Sequence, residues 1–383
     1  MTDLTTYIGA DIFDGDELLP DHALLVQAGK LSAITPVRSV PPEAQIFTLK
    51  GGTIAPGFVD LQVNGGGGLM LNAAPSVATL AKMAQAHLAL GTTAFLPTLI
   101  TDTEEKTRET INAVTEAIAK GIPGIAGLHL EGPHLSIARK GAHDPNLIRP
   151  MNDRDLSMLL EGAEKLPALM VTIAPENCTL DQVRILSEAG ITISLGHSDT
   201  SFETAMQYAQ AGARVATHLF NAMSPLQSRA PGLVGAALQN GALFAGLIAD
   251  GIHVHPDTIA LALRAKQGPG RIFLVTDAMA VAGTTLESFT LEGRRIRRAG
   301  GRLTLDDGTL AGADLELARA IQLVTQRVGL DLVEALAMAT SIPADLMKLP
   351  HGRLKPGDSA DFIHLDSNLT LTGVWQNGVR MKS

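Results

Sequence analysis

Between residues 53 and 355 the chain alternates short apolar runs with longer segments of mixed Ala, Leu and polar residues. The runs are Thr53–Leu61, Ala94–Pro97, Ile125–His129, Met170–Ala174, Ile191–Leu195, Arg214–Thr217, Phe244–Ile248 and Ile272–Val275. Segments between them, such as Val77–Leu90 and Phe202–Ala211, are Ala-rich and helix-compatible. Alternation of this kind predicts a parallel βα architecture. Eight units predict a (β/α)8 barrel of the TIM-like class; if one strand is false, the alternative is a doubly wound sheet.

The two ends read differently. Asp21–Val26 and Lys30–Ile34 flank Gly29, and Ala360–Leu365 and Thr372–Trp375 precede a turn at Asn377-Gly378. Both ends are β-rich while the middle is not. One small, discontinuous β-sandwich domain built from 1–52 and 356–383 is therefore expected, with the barrel over 53–355. After the eighth run, Phe289–Ile296 and Gly300–Leu305 predict an inserted hairpin, and helical pattern resumes over Asp314–Val328 and Leu332–Thr340.

Composition narrows the class. Of 383 residues, 45% are hydrophobic and 18% charged, enough for a large core and too apolar for disorder. A net charge of -9 argues against nonspecific nucleic-acid binding, which needs a basic surface. It leaves room for one small anionic substrate held by a few local cations. The single cysteine, Cys178, forbids an intramolecular disulfide and carries no surrounding motif, so a structural thiol is expected. Met1-Thr2-Asp3-Leu4 lacks the start of a signal peptide, and no apolar run suits a membrane helix. A cytoplasmic protein without membrane partners is the expectation.

Polar residues gather just beyond the strand ends, where barrel enzymes build their sites. Gln62 and Asn64 follow the first run, Glu131 the third, His197 the fifth and His218 the sixth; His253 and His255 follow the seventh and Asp277 the eighth. Glu131, His197 and His218 form a candidate metal set, because one carboxylate and two imidazoles leave a position open for water. Asp277, delivered by an apolar strand, is the candidate general base and acid.

These residues sit in motifs that closely resemble the N-acetylglucosamine-6-phosphate deacetylase family of the amidohydrolase superfamily. The segments are Pro56-Gly57-Phe58-Val59-Asp60, Asn64 to Gly68, His129-Leu130-Glu131-Gly132-Pro133-His134 and Gly196-His197-Ser198. Thr217-His218-Leu219-Phe220-Asn221-Ala222-Met223, Asp250-Gly251-Ile252-His253 and Thr276-Asp277-Ala278 follow in the family's order. The resemblance implies metal ligands at Glu131, His197 and His218, and an acid/base at Asp277. It implies substrate contacts from Gln62, Ala142, His143, Asn221, Ala222, Arg229, His253 and Leu310-Ala311-Gly312. Arg229 and His253 are the implied phosphate binders, with Arg229 reaching into the neighbouring subunit of a homodimer. His143 is expected to help stabilise the oxyanion.

Gln62-Val63-Asn64 stands where many amidohydrolases carry His-x-His for a second metal. Amides are poor zinc ligands, so one divalent ion per subunit is expected: Zn2+, with Fe2+ or Co2+ as alternatives. His134 stands where the family often has Trp and is expected at the pocket wall; His129 is expected to back up Glu131. The implied reaction is deacetylation of N-acetyl-D-glucosamine 6-phosphate. The rivals are the same chemistry on N-acetylgalactosamine 6-phosphate or another acetamido sugar, and an inactive barrel kept as a binding protein. That last rival predicts loss of a ligand or of the acid/base, and all four are present.

Overall fold

In the computed structural model, residues 4–381 are described; Met1-Thr2-Asp3, read above for a leader, lies outside them. Eight strands run parallel in sequence order around a barrel: β1 Phe58–Val63, β2 Thr92–Ile100, β3 Leu128–Glu131, β4 Leu169–Ile173, β5 Thr192–Leu195, β6 Val215–Ala216, β7 Phe244–Leu247 and β8 Ile272–Leu274. Ladders join each strand to the next. Among the described residues β1 and β8 share no ladder, and the ring closes there through an isolated Val63–Ala278 bridge. The barrel strands are buried along nearly their whole length, as strands covered on both sides must be.

Helices pack outside, most of them started by a residue whose side chain accepts from the free N–H groups of the first turn. Asn152 with Asp155 and Thr179 with Gln182 form capping boxes for Asp153–Lys165 and Leu180–Glu188. Phe202–Ala211 forms as predicted, and Val77–Ala89 ends one residue short of its expected bound. Among the described residues no helix is long and apolar enough to cross a membrane.

The two termini build two further sheets that share a core. Leu4–Ile8, His22–Gln27, Lys30–Pro36 and Gln45–Thr48 form one; Asp11–Phe13, Leu18–Leu19, Thr53–Pro56, Phe362–Leu365, Leu371–Gln376 and Val379–Arg380 form the other. Tyr7 and Leu24 of the first sheet pack against Ile54, Phe362 and Trp375 of the second. Phe362 and Trp375 stack with centroids 4.6 Å apart, and Tyr7 meets both edge-on. Asn377 and Gly378, both with positive φ, make the tight turn before the last strand.

Two strand expectations change. Thr53–Leu61 is two strands, because Gly57 separates Thr53–Pro56, paired to Phe362–Leu365 in the sandwich, from β1 in the barrel. The chain passes so close to β2 at this point that a Cβ on Gly57 would lie 2.0 Å from Thr93 Oγ1. The insertion is a four-stranded antiparallel sheet rather than one hairpin: Ser288–Leu291, Arg294–Ala299, Arg302–Thr304 and Leu310–Ala313. Its apolar face, Leu291, Ile296, Leu303 and Ala311, packs on Met279, Ala280 and Val281 beyond β8.

Candidate active site

The C-terminal ends of the barrel strands deliver side chains into one cavity of about 390 Å³. Glu131 is the last residue of β3 rather than the first beyond it. His197, His218 and Asp277 follow β5, β6 and β8 with φ of 46°, 31° and 51°, a left-handed conformation that costs a non-glycine residue energy. The surrounding packing holds that strain where chemistry needs the side chains.

Glu131 Oε1, His197 Nε2 and His218 Nε2 form a triangle with edges of 3.1, 3.1 and 3.0 Å. His197 Nδ1 lies 2.8 Å from the Arg139 carbonyl oxygen and donates to it, so in the neutral ring Nε2 carries a lone pair. That lone pair then faces a carboxylate oxygen and a second imidazole nitrogen. A divalent cation suits this donor set, because it turns three facing lone pairs from a conflict into ligands. Burial works against the Glu131 charge, but when His197 and His218 carry a proton on Nε2 their hydrogen bonds and charge hold its carboxyl well below the usual range.

By distance alone His143 also qualifies, since it, Glu131 and His197 offer ligand atoms within 4.8 Å of one another. Its hydrogen bonds assign it another role. The Thr101 backbone N–H donates to His143 Nδ1 at 3.3 Å and the Thr101 hydroxyl lies 2.8 Å from the same atom. Nδ1 is therefore the acceptor, and the proton of the neutral ring sits on Nε2, which is left as a donor. Burial above all pushes the His143 pKa well down, so the ring is neutral. His143 suits donation to a substrate oxygen better than metal ligation.

Asp277 Oδ1 accepts from Asn64 Nδ2 at 2.7 Å and from Gln62 Nε2 at 3.3 Å. The same Gln62 nitrogen lies 3.2 Å from both Glu131 oxygens, so one amide bridges the two carboxylates. Burial and then the Glu131 charge push the Asp277 carboxyl up to about 6, against the pull of His218 and the Asn64 hydrogen bond. The Asn64 side chain lines the cavity, whereas Gln62 is buried behind it.

Of the remaining expected contacts, Ala142, Asn221, Ala222, His253, Leu310 and Gly312 also line this cavity. Ala311 points into the apolar core of the inserted sheet, and Arg229 lies exposed on the loop after β6. His253 Nδ1 donates to Asp250 Oδ2 at 2.6 Å, and Asp250 Oδ1 takes the backbone N–H of Ile252 and His253. Burial opposes the Asp250 charge, yet these bonds keep its pKa below the ordinary value. Arg294, from the inserted sheet, donates to the Ala142 carbonyl at 2.6 Å and ties that sheet to the loop carrying His143.

The other residues singled out from sequence lie off the cavity wall. His134 does not line the cavity; it is buried and bonded to the Arg149 carbonyl at 3.0 Å. His129 bonds to Thr172 at 2.8 Å in a polar layer inside the barrel, in which Thr172, Thr217 and Ser194 link hydroxyl to hydroxyl. His255 caps Pro256–Ala265, accepting from Asp257 N. Cys178 is buried with its thiol pushed up to about 12, which makes it inert at neutral pH. Thr101 and Arg294 were not singled out from sequence, and Asp250 stood there only within the Asp250–His253 motif, with no role given to it.

Comparison with known proteins agrees with this architecture. The amidohydrolase family model matches residues 53–381. N-acetylgalactosamine-6-phosphate deacetylase of Shewanella sp. strain ANA-3 is 42% identical over 87% of this chain and 84% of its own. N-acetylglucosamine-6-phosphate deacetylase of Haemophilus influenzae is 34% identical over 97% of both chains. The crystal structure of N-acetylglucosamine-6-phosphate deacetylase from Pasteurella multocida superposes with a TM-score of 0.94 at 34% identity, covering 99% of this chain and 100% of that one. The chain therefore belongs to the amidohydrolase family and, within it, to the N-acetylglucosamine-6-phosphate deacetylase family.

Proposed function

We propose that the chain hydrolyses the acetamide of N-acetyl-D-glucosamine 6-phosphate to D-glucosamine 6-phosphate and acetate. The observation that carries this reading is the convergence of Glu131, His197 and His218 within 3.0–3.1 Å beside an Asp277 held by Asn64. A divalent ion held by those three residues, Zn2+ in this reading with Fe2+ or Co2+ as alternatives, would supply Lewis-acid polarisation of the amide carbonyl and acidify water. Gln62 and Asn64 spend their amide protons on Glu131 and Asp277 and offer no imidazole pair, so the reading is one ion per subunit.

Asp277 takes a proton from the attacking water and returns it to the nitrogen as the C–N bond breaks, so that acetate and the amine leave with protons balanced. The His143 Nε2–H donates to the carbonyl oxygen as negative charge grows on it. Asn221, Ala222, Ala142 and Leu310 to Gly312 shape the sugar pocket around these groups. His253, oriented by Asp250, faces the phosphate from within the chain. Arg229, absent from its own cavity wall, is read as serving the neighbouring subunit of a homodimer, where a guanidinium suits phosphate. A sandwich from 1–52 and 356–383 with a barrel over 53–355, its first strand Thr53–Pro56 handed to the sandwich, and a cytoplasmic setting belong to the same reading.

A second reading, N-acetylgalactosamine 6-phosphate as substrate, is favoured by the 42% identity to the Shewanella deacetylase of that sugar. Metal analysis of the purified protein, with acetate release measured on both epimers and on N-acetyl-D-glucosamine, separates the readings. The proposal expects one metal per chain and the highest kcat/KM on N-acetyl-D-glucosamine 6-phosphate. Preference for the galacto epimer establishes the second reading, and binding without acetate release on any substrate points to an inactive barrel.

A further inference from the structure

Asp60 lies on β1 and is fully buried, far from any ion pair partner in its own strand. Its carboxylate collects three kinds of donor from two strands. Gln62 N–H reaches Oδ1 at 3.1 Å, Thr276 N–H lies 3.3 Å from both oxygens, and the Thr276 hydroxyl donates to Oδ2 at 2.5 Å. A buried carboxylate needs such a shell, and even with it burial outweighs these hydrogen bonds and pushes the Asp60 carboxyl up to about 7.

The place of this shell matters more than its existence. Asp60 sits at the seam where β1 and β8 share no backbone ladder among the described residues. The N–H of Thr276, just beyond β8, is answered by a side chain of β1 instead of by a backbone carbonyl. The Thr276 hydroxyl then accepts the N–H of Ala278 at 3.2 Å, so the two residues flanking Asp277 are both tied to the Asp60 cluster. Asp277 itself keeps a positive φ of 51°, and its carbonyl accepts the Ala313 N–H at 3.0 Å. On the other side of the seam, Asp60 fixes the backbone of Gln62, whose amide meets Asp277 and Glu131.

Beyond Asp60 the seam is held by the Val63–Ala278 bridge and by the Asn64 and Gly65 N–H groups, which reach the Ala278 carbonyl at 2.8 and 3.1 Å. We infer that Asp60 is a positioning residue: its carboxyl group supplements this short stretch of backbone pairing from the Thr276 side and, with it, sets where Asp277 stands relative to Gln62 and Glu131. The kinetic part of this inference rests on the deacetylase reading. A misplacement of about 1 Å at a reacting group can cost on the order of a hundredfold in rate.

The decisive variant is Thr276→Val, which keeps shape and removes only the hydroxyl; Asp60→Asn and Thr276→Ser accompany it. Expected for Thr276→Val and Asp60→Asn is a fall in kcat of about tenfold or more, with KM within about threefold and metal content unchanged. Thr276→Ser, which restores the hydroxyl, returns kcat toward wild type. Hydrogen exchange should quicken together in peptides spanning 58–66 and 272–280, while β3 and β5 keep their protection. Unchanged kcat and exchange in Thr276→Val overturn the inference. So does exchange that rises throughout the barrel alongside metal loss, because that marks a general structural role. If wild type releases no acetate, the deacetylase reading falls, and the exchange pattern still decides whether Asp60 sets the seam. If Asp60→Asn does not fold, Thr276→Val decides alone.

Discussion

Thr101→Val isolates what a single hydroxyl does for His143. Thr101 is 1% exposed and Val is nearly isosteric, so the substitution neither opens a cavity nor exposes the ring. It removes the 2.8 Å contact to His143 Nδ1 and leaves the 3.3 Å backbone N–H that fixes the tautomer. The remaining hydroxyl contact, 3.5 Å to the Glu131 carbonyl, is at the limit of a hydrogen bond and adds little. A neutral hydrogen bond contributes about 1 kcal/mol, which is about fivefold in rate if it is felt mainly in the transition state. The assay is kcat and KM for acetate release from N-acetyl-D-glucosamine 6-phosphate, in wild-type and His143→Gln backgrounds. His143→Gln should cost on the order of a hundredfold in kcat, as loss of an oxyanion donor does. In that background Thr101→Val should cost nothing more, because the ring it steadies is gone. An equal fivefold loss in both backgrounds would refute the argument that Thr101 acts through His143.

Other outcomes follow from the same geometry. Asp277→Asn keeps the Oδ1 acceptor for Asn64 but cannot take a proton; kcat should fall by about 10²–10⁴ with metal content preserved, and near-normal turnover would remove Asp277 from its role. Replacing both Gln62 and Asn64 by His rebuilds an imidazole pair, and the metal measured per chain should rise from one toward two; a ratio that stays at one means something other than these amides sets the count. Arg229→Ala should raise KM for the phosphorylated sugar and leave the unphosphorylated one unaffected, and equal effects on both would separate Arg229 from the phosphate. Removing metal with a chelator should abolish acetate release and lower Tm, since an ion present at about 100 times its Kd stabilises by about 2.7 kcal/mol; an unchanged Tm would argue against a resident ion.

The barrel was legible because its strands are continuous apolar runs, and β7 and β8 begin where the sequence pattern begins. The first run misled for the same reason. Thr53–Pro56 and Phe58–Val63 are both fully buried, one in the sandwich and one in the barrel, and burial on both sides erases the boundary. Leu310–Ala313 escaped detection because it is only four residues long, includes Gly312 and takes its pairing from Arg302–Thr304 across a turn. At the site, Glu131, His197, His218 and Asp277 could be noticed because each stands at a strand end. Asp60 stands inside β1; Thr101, although just beyond β2, lies past the run that marks that strand in the sequence, and Asp250, just beyond β7, shows only in its spacing to His253. Thr101 meets His143 across 42 positions and Asp60 meets Thr276 across 216, and only the closed ring creates those neighbours.

The sandwich is completed only after the barrel, and that has a consequence for the growing chain on the ribosome. Thr53–Pro56 emerges ahead of the barrel, yet its antiparallel neighbour Phe362–Leu365 emerges only after the barrel has been made. At roughly 5–20 residues per second, the early strands wait on the order of tens of seconds while the barrel is synthesised. During that interval Ile12, Ile54 and Tyr7 lack Phe362 and Trp375 as cover, and the edge of Thr53–Pro56 is open to pairing with other chains. A nascent chain halted before residue 362 would thus be a target for chaperones, and the segment from Phe362 to Arg380 would act as the closing seal on the sandwich.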